Sequence, residues 1–336
     1  MKESRLEAPF PYFGGKGAIA DVVWQSLGDV KHYIEPFFGS GAVLLNRPGY
    51  ESSRHVETVN DADGFVCNVW RALQFSPDET ARWCDWPVNH ADLMARKAEL
   101  IKNESRLLEN LVSDDKWHDP VMAGYWIWAA SCWIGHGLTR PGQRPDISKS
   151  GMGVHKLGQR PQLSNAGMGV HKLGQIPHIS HAGKGVQEPY NTNLYTWFRQ
   201  LSERLRHVRV VCGDWTRVCG GNWQDKMGDV GIFFDPPYGE KATRDVGIYH
   251  KDCLQVADRV REWCLERGDK SSYRIVLAGY YEEHEELLKH GWTAHRWKTA
   301  GGYAKLGKGK GLINRHREAL FFSPFCLQTK KQGELL

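Results

Sequence analysis

The fold is decided by an apolar run and the stiff turn that follows it, Val230-Gly231-Ile232-Phe233-Phe234-Asp235-Pro236-Pro237-Tyr238. An unbroken apolar run of this length is typical of a strand that is buried on both faces of a parallel sheet. Asp235 then stands at the carboxyl end of the strand, where open α/β sheets place their ligands. Because two prolines fix φ and remove two backbone donors, the turn presents a carboxylate, free carbonyls and an aromatic ring. Such a set can accept hydrogen bonds from an exocyclic amino group and stack on the ring that carries it.

Strands and helices alternate on both sides of this run. Further strands are predicted over residues 33–35, 55–61, 208–214, 274–278 and 318–323. Helices are predicted over residues 18–27, from 42 onward, and over 64–73, 89–111, 122–134, 194–205, 253–267 and 282–290. This alternation predicts an α/β protein with a doubly wound, mostly parallel sheet.

The composition sets broad limits on the class of protein. The 336 residues, 41% of them hydrophobic, suit one large α/β domain with an insertion or two modest domains. No segment approaches the roughly 20 apolar residues of a membrane span, and the first residues lack the apolar core of a signal peptide. We therefore expect no membrane partner and a cytoplasmic location. The eight cysteines include no Cys-x-x-Cys pair, so no metal site is predicted.

Three tandem copies of a 16-residue unit run from Gly142 to Pro189 and begin at Gly142, Gly158 and Gly174. Each unit offers only about two strongly apolar positions, so three copies cannot bury a core of their own. We predict a loop-rich arm that is inserted into the main domain and leans on it. The arm carries six lysine and arginine side chains against two acidic ones, which is most of the formal net charge of +5 of the whole chain.

A glycine turn, residues 35–41, follows the first predicted strand. Gly39 and Gly41 are expected to let a ligand approach the backbone, and the next helix to supply unpaired amides. Asp61 ends a strand about 20 residues further on, a spacing at which an acid holds ribose hydroxyls in dinucleotide-binding folds. Asp214 ends another strand at the same edge and can bind an adenine amino group. A purely structural turn, a helix cap for Asp61 and a turn acid for Asp214 remain open as alternatives. Lys16, at the end of a Gly-rich aromatic segment, is expected to meet a ligand carboxylate, unless it is an ordinary exposed lysine.

The motifs Pro-Tyr-x-Gly-Gly-Lys, Glu-Pro-Phe-x-Gly-Ser-Gly and Asp-Pro-Pro-Tyr occur in this order at residues 11–16, 35–41 and 235–238. Together they resemble the Dam-like (alpha-group) DNA adenine N6-methyltransferases, over residues 9–73 and 208–323. The resemblance implies a Rossmann-like catalytic domain formed by residues 1–73 and 190–326. It implies a target-recognition region over residues 74–189, which here holds the helical segments and the repeats, and we expect a flexible tail at 327–336.

The resemblance also implies S-adenosylmethionine as cofactor and double-stranded DNA as partner. The residues that it implies at the cofactor are Tyr12, Gly14, Gly15, Lys16, Glu35, Phe37, Gly39, Gly41, Asp61 and Asp214. The catalytic set that it implies is Asp235, Pro236, Pro237 and Tyr238. The Asn-Asp-x-Asn motif of the family corresponds here to residues 60–63, where Asp63 replaces the last asparagine. Family roles can therefore be assigned only to the first two positions of this motif. The 16-residue repeats match no recognition hairpin of the family.

A mechanism follows from these residues. The target adenine must be flipped out of its stack, at a cost of a few kcal/mol. Asp235 and the Pro236 carbonyl would accept hydrogen bonds from the N6 amino group, while Tyr238 stacks on the ring and Phe37 or Phe38 packs nearby. Because an aryl amine is a far weaker acid than a carboxylic acid, the proton is expected to leave during or after methyl transfer.

The basic residues of the arm are expected to contact DNA. The predicted contacts are Arg144, Lys156, Arg160, Lys172 and Lys184, with Lys305 from a second basic, Gly-rich stretch. A solvated loop with incidental charge is the alternative.

Other functions remain open. N4 of cytosine presents the same chemistry, although Ser-Pro-Pro-Tyr is its more usual motif. Methylation of an RNA base or of a protein glutamine fits the early Gly-Gly-Lys and the basic insertion less well. A catalytically inactive DNA-binding relic is a further alternative, against which the intact motifs argue. The sequence leaves open the DNA site, a partner restriction endonuclease and the oligomeric state. It also does not distinguish a bacterial chromosomal enzyme from a phage one.

Overall fold

The computed structural model describes residues 6–12, 16–133, 138–139, 193–237, 255–296 and 317–327. A single sheet runs through these residues. Its strands are β1 (His32–Glu35), β2 (Val56–Asp61), β3 (Val208–Cys212), β4 (Val230–Phe234), β5 (Tyr273–Tyr280), β6 (Thr293–Arg296) and β7 (Glu318–Phe322). They lie side by side in the order β3-β2-β1-β4-β5-β7-β6.

The sheet is mostly parallel and its strand order reverses at its centre. β1 pairs in parallel with β2 on one side and with β4 on the other. The sheet therefore extends from β1 towards one edge through β2 and β3, and towards the other edge through β4 and β5. β7 is antiparallel to both of its neighbours, β5 and β6. The predicted α/β class, doubly wound and of Rossmann-like type, is confirmed. In such a sheet the ligand site lies at the carboxyl ends of the strands, at this reversal point.

Helices cover both faces of the sheet. The α-helices of the described residues are α1 (Ala20–Leu27), α2 (Ala42–Leu45), α3 (Gly64–Phe75), α4 (Pro77–Cys84), α5 (His90–Ser113), α6 (Pro120–Cys132), α7 (Leu194–Leu205), α8 (Thr216–Cys219), α9 (Val256–Arg267) and α10 (Tyr281–His284). Short 3-10 helices span Gly17–Ile19, Gln224–Lys226 and Glu285–His290. Alternate β4 residues face opposite cores, with Phe233 against α1, α3 and α7, and Ile232 and Phe234 against α8 and α9.

Side chains that cap helix ends explain many of the boundaries. Asp63 accepts the backbone N–H of Phe65 at 2.8 Å and starts α3, and Asn89 accepts that of Asp92 at 2.8 Å and starts α5. At the end of α1, Gly28 adopts a φ of 66°, a conformation that favours glycine. The helix predicted over 282–290 is instead α10 followed by a 3-10 helix, and that predicted over 122–134 starts at Pro120 and ends at Cys132.

The helices α4, α5 and α6, which the sequence assigned to an inserted region, pack into the same core as α3 and α7. Asn68 of α3 exchanges two hydrogen bonds with the backbone of Asp119, at 2.9 and 2.7 Å. The division at residue 73 stays a prediction. Leu327, the first residue of the expected tail, donates its backbone N–H to Ser26 at 2.8 Å. The repeat arm, the basic stretch around Lys305 and residues 328–336 lie outside the described residues.

Within the described ranges, no helix combines the length and the apolarity that crossing a bilayer requires.

Candidate active site

A cavity of about 400 Å³ opens at the carboxyl ends of β1, β2, β3 and β4. Each of these strand ends contributes an acid to its wall. Glu35 is the last residue of β1, Asp61 is the last of β2, Asp214 follows β3 after one residue, and Asp235 directly follows β4. The glycine turn therefore opens into the same space as Asp235 and Pro237, as the sequence predicted for these two motifs.

The two glycines of the turn make room for neighbouring aromatic rings, and their expected contact with a ligand stays a prediction. Gly39 and Gly41 adopt φ values of 47° and 61°, where side chains are strained. A Cβ on Gly39 would lie 2.5 Å from the Tyr12 ring, and one on Gly41 would lie 2.7 Å from the Phe38 ring. The two glycines therefore let these rings pack against the turn, and Gly41 does not line the cavity. The helix that follows, α2, is only one turn long, and its Leu44 amide is bonded to Glu35.

Glu35 is a buried carboxyl group at the floor of the cavity, with an exposed fraction of 3%. The Tyr33 hydroxyl donates to its Oε2 at 2.9 Å. Burial raises the pKa of Glu35 well above its usual value, although the hydrogen bond from Tyr33 acts in the opposite direction. A cation bound beside this group would favour its ionised form.

Asn60 and Asp61 join three strand ends. The Asn60 side-chain amide donates to the carbonyls of Pro36 and Gly213, at 3.0 Å each. Its Oδ1 is buried and has no hydrogen-bond partner in the described part of the protein. Asp61 accepts the backbone N–H of Gly39 at 2.8 Å and that of Asp63 at 2.9 Å. Burial, reinforced by the charge of Asp63, raises the pKa of Asp61 to about 7.

Asp235 forms an ion pair with Lys16, whose Nζ lies 3.2 Å from Oδ1. Lys16 is buried with an exposed fraction of 8%, so the exposed-lysine alternative is wrong. Burial raises the pKa of Asp235 to about 6, and the Lys16 ammonium group limits that rise. Glu318 on β7 also favours the protonated form of Asp235. Lys16 pairs with the carboxylate of Asp235, and the expected contact of Lys16 with a ligand carboxylate stays a prediction.

Asp214 acts as a turn acid at the wall of the cavity, and its contact with an adenine amino group stays a prediction. It lines the cavity, and it also accepts the backbone N–H of Thr216 at 3.0 Å within its own turn. Arg259 of α9 lies 3.6 Å from its other oxygen. Burial acts to raise the pKa of Asp214, but the hydrogen bonds from Thr216 and the charge of Arg259 outweigh burial and leave the pKa below its usual value. Asp214 is therefore the readily ionised acid at this end of the cavity.

Aromatic residues form the wall near Asp214. Phe37 lies between Trp215 and Phe234, with ring centroids 6.4 Å from each. Phe38 packs on the ring of Trp70 at 5.0 Å and belongs to the core, so Phe37 is the more exposed of the two. The buried indole N–H of Trp215 has no partner among the described residues.

Several predicted site residues cannot be placed here. Those outside the described residues are Gly14, Gly15, Tyr238, Arg144, Lys156, Arg160, Lys172, Lys184 and Lys305. Pro237 lines the cavity, whereas Pro236 does not. The sequence reasoning missed Trp215, Arg259, Leu108 and Val112, all of which line it. Trp215 had a signal, since it directly follows a predicted site acid.

Residues 12–114 match the model of a known family, described as D12 class N6 adenine-specific DNA methyltransferase. A search of curated proteins found no match. The matched segment starts at Tyr12, includes the glycine turn and Asp61, and runs to the end of α5, past the predicted boundary at residue 73. The family supports DNA adenine methylation as the general activity and DNA as the substrate. The match confirms the resemblance that the motifs predicted: residues 12–114 of this chain are similar to the D12 class N6 adenine-specific DNA methyltransferase family.

Proposed function

We propose that the protein transfers a methyl group from S-adenosylmethionine to N6 of an adenine that is flipped out of double-stranded DNA. The observation that carries this proposal is the row of acids along the cavity. Asp214, Asp61, Glu35 and Asp235 end four strands that are neighbours in that order. With about 4.8 Å between adjacent strands, the row extends over roughly 14 Å. An elongated ligand with several polar groups suits such a row.

The residues of the cavity fit S-adenosylmethionine in charge and size. Five acids line it, against the two cations Lys16 and Arg259; the acids are Glu35, Asp61, Asp63, Asp214 and Asp235. The cofactor carries a sulfonium and an ammonium group against one carboxylate, so its net charge is positive. The cavity volume of about 400 Å³ lies within the usual range for small-molecule sites. The Oδ1 of Asn60, which has no hydrogen-bond partner among the described residues, offers a further buried acceptor at the wall.

The resemblance of the motifs implies which residues would hold each part of the cofactor. Tyr12, Lys16, Glu35, Phe37 and Gly39 would hold its methionine end, together with Gly14 and Gly15. Gly41, which does not line the cavity, would act by shaping the turn. Asp61 would hold the ribose hydroxyls, and Asp214 the adenine amino group. When bound there, S-adenosylmethionine would supply an electrophilic methyl group on its sulfonium sulfur.

Asp235 would prepare the target amine. Its carboxylate would accept a hydrogen bond from N6 of adenine, and the Pro236 carbonyl would accept the second, because two prolines leave no competing N–H in the turn. These bonds draw the nitrogen lone pair out of conjugation with the ring. Lys16, at 3.2 Å, favours the ionised form of the buried Asp235 that can accept the bond. Most of the acceleration would come from placing the two reactants in line. Tyr238 would stack on the flipped base.

On the DNA side, the repeat arm would track the phosphates and read base edges through Arg144, Lys156, Arg160, Lys172 and Lys184, with Lys305 as a second contact. Residues 1–73 and 190–326 would form the catalytic domain, residues 74–189 the recognition region and residues 327–336 a tail. The protein would act in the cytoplasm of a bacterial or phage-infected cell, with or without a partner restriction endonuclease.

The test is transfer of labelled methyl groups from S-adenosylmethionine to DNA, followed by digestion to nucleosides and mapping of the modified base. We expect N6-methyladenine in a short defined motif. Asp235→Asn should remove turnover and leave cofactor affinity within several-fold of normal. The control Asp269→Asn, at an exposed acid outside the cavity, should leave both turnover and cofactor affinity normal. Label in 4-methylcytosine would overturn the base assignment. A near-normal rate of Asp235→Asn would remove Asp235 from the mechanism.

A further inference from the structure

Two apolar side chains of α5 stand at the edge of the cavity. Leu108 and Val112 line it, as Ala62 and Asp63 do, and Leu108 approaches Gly64, the residue after Asp63. Because they are four residues apart on one helix, they lie on the same face. Val112 is 46% exposed, an unusual position for a branched apolar side chain beside a cavity that is lined by acids. The proposed reaction assigns no role to either residue.

The close approach of α5 to α3 holds these side chains in place. Gly64, the first residue of α3, has no side chain, and a Cβ there would lie 3.1 Å from Leu107 and 3.4 Å from Leu108. Arg71 of α3 is buried and donates to the carbonyls of Leu111 at 3.1 Å and Asp114 at 2.7 Å. The same guanidinium group donates to Val210 of β3 at 3.0 Å. The end of α5 is thereby fixed against two elements that form the cavity.

We propose that Leu108 and Val112 form the apolar wall that contacts the nucleoside half of the methyl donor. The inference rests on the proposed function, because it takes S-adenosylmethionine as the ligand. The reacting methyl group must face Asp235 at the end of β4. The tip of β2, where Ala62 and Asp63 lie, is two strands away, which is about 10 Å. The methionine end and the sulfonium group therefore occupy the β4 and β1 side, and the nucleoside lies over β2 and β3.

The chemistry of the wall agrees with this occupant. A purine and its ribose offer an apolar face together with hydroxyl and amino groups, so they require apolar contact next to acceptors. Leu108 and Val112 supply the apolar contact, while Asp61 and Asp214, which line the same cavity at the ends of β2 and β3, supply the acceptors. α5 lies in the predicted target-recognition region. We therefore propose that α5 contributes to the binding site of the methyl donor in addition to its predicted part in target recognition.

The experiment measures binding of S-adenosylhomocysteine and of 5′-methylthioadenosine, which keeps the nucleoside and lacks the amino acid. The variants are Leu108→Ala/Val112→Ala and Val112→Ala alone, and Phe75→Ala is the control. Phe75 is 45% exposed, as Val112 is, but does not line the cavity. Removing the covered apolar area should weaken both ligands by the same factor, about tenfold in the double variant and about threefold in Val112→Ala. The control should bind both normally, and the KM for DNA should not change in any variant.

The outcomes separate the two proposals. If the wild-type protein binds neither ligand, the proposed function fails and this inference fails with it. If the wild type binds both and the variants bind equally well, only the inference is overturned. A changed KM for DNA with unchanged ligand affinity would assign the two side chains to DNA instead. Val112→Ala replaces a half-exposed side chain, so it keeps the test valid even where the double variant loses its fold.

Discussion

Asp61 couples the folding stability of the protein to pH, and Asp61→Asn tests this coupling. Burial raises the pKa of Asp61 to about 7, whereas an aspartate in the unfolded chain has its usual pKa of 3.8. The folded protein therefore binds a proton at Asp61 more tightly than the unfolded chain does. A raised carboxyl pKa contributes stability that is fully present below the unfolded value and is lost as pH rises through the folded value. The window for Asp61 is thus from about pH 4 to about pH 7.

The size of the effect follows from the shift. A difference of about three pKa units corresponds to at most about 4 kcal/mol, since one unit is worth about 1.4 kcal/mol. The asparagine side chain of the variant would stay neutral at every pH and would resemble the protonated acid, with one acceptor oxygen for Gly39 or Asp63. Relative to wild type, the free energy of unfolding of Asp61→Asn should therefore rise by about 2–4 kcal/mol between pH 4 and pH 8.

The assay is urea unfolding of both proteins, without cofactor, at intervals from pH 4 to pH 8. Comparing the two proteins cancels the other titrating groups, including the buried His284, whose pKa burial lowers to about 3. At pH 8 the cofactor should stabilise the wild type far more than the variant, because ribose hydroxyls would donate to the ionised carboxylate. A free-energy difference that stays constant between pH 5 and pH 8 would refute the reasoning about Asp61.

Three further predictions concern other residues of the cavity. Lys16→Met should raise the pKa of Asp235 above about 6 and so move the acid limb of the pH–rate profile to higher pH. Lys16→Arg should return the limb to its wild-type position. A limb that does not move in Lys16→Met would contradict the role of the ion pair. Gly39→Ala should lower the free energy of unfolding by about 2–4 kcal/mol, because the residue has a φ of 47° and its new Cβ would clash with the Tyr12 ring. Thermal unfolding measures this loss. An unchanged stability would show that the turn relaxes. Trp215→Phe should lower the free energy of unfolding by less than about 1 kcal/mol, because it keeps an aromatic ring and removes an N–H that has no partner among the described residues. Urea unfolding measures this change. A larger loss would mean that the N–H is hydrogen-bonded.

Much of the fold was predictable because local signals agreed with the tertiary structure. The apolar run of β4 is buried at every position, and its neighbours alternate with amphipathic helices. β6 was missed because Thr293–Arg296 is a short edge strand without an apolar face. The helix predicted at 282–290 is partly 3-10, a difference that apolar spacing does not reveal over so few residues. α4 was missed although Ser76 and Pro77 are residues that favour a helix start.

The site was less predictable because its contacts join distant parts of the chain. The strand-end acids could be found, since each follows an apolar run and the fold gathers such ends at one edge. The pairing of Lys16 with Asp235 could not, because only the folded sheet brings the two residues together. The same holds for Leu108 and Val112, whose apolar spacing is that of any amphipathic helix. The need for glycine at 39 was visible, but its reason, the ring of Tyr12, was not.

The Asn60 amide has a practical consequence for anyone who wishes to exchange parts of this protein. It fastens the loop after β1 to the loop after β3, although Pro36 and Gly213 lie far apart along the chain. Neither loop can be replaced by itself with a loop from another protein, since the carbonyl oxygen of the new loop must lie where it can accept a hydrogen bond from the Asn60 side-chain amide. A successful graft would have to transplant both loops and the asparagine as one unit.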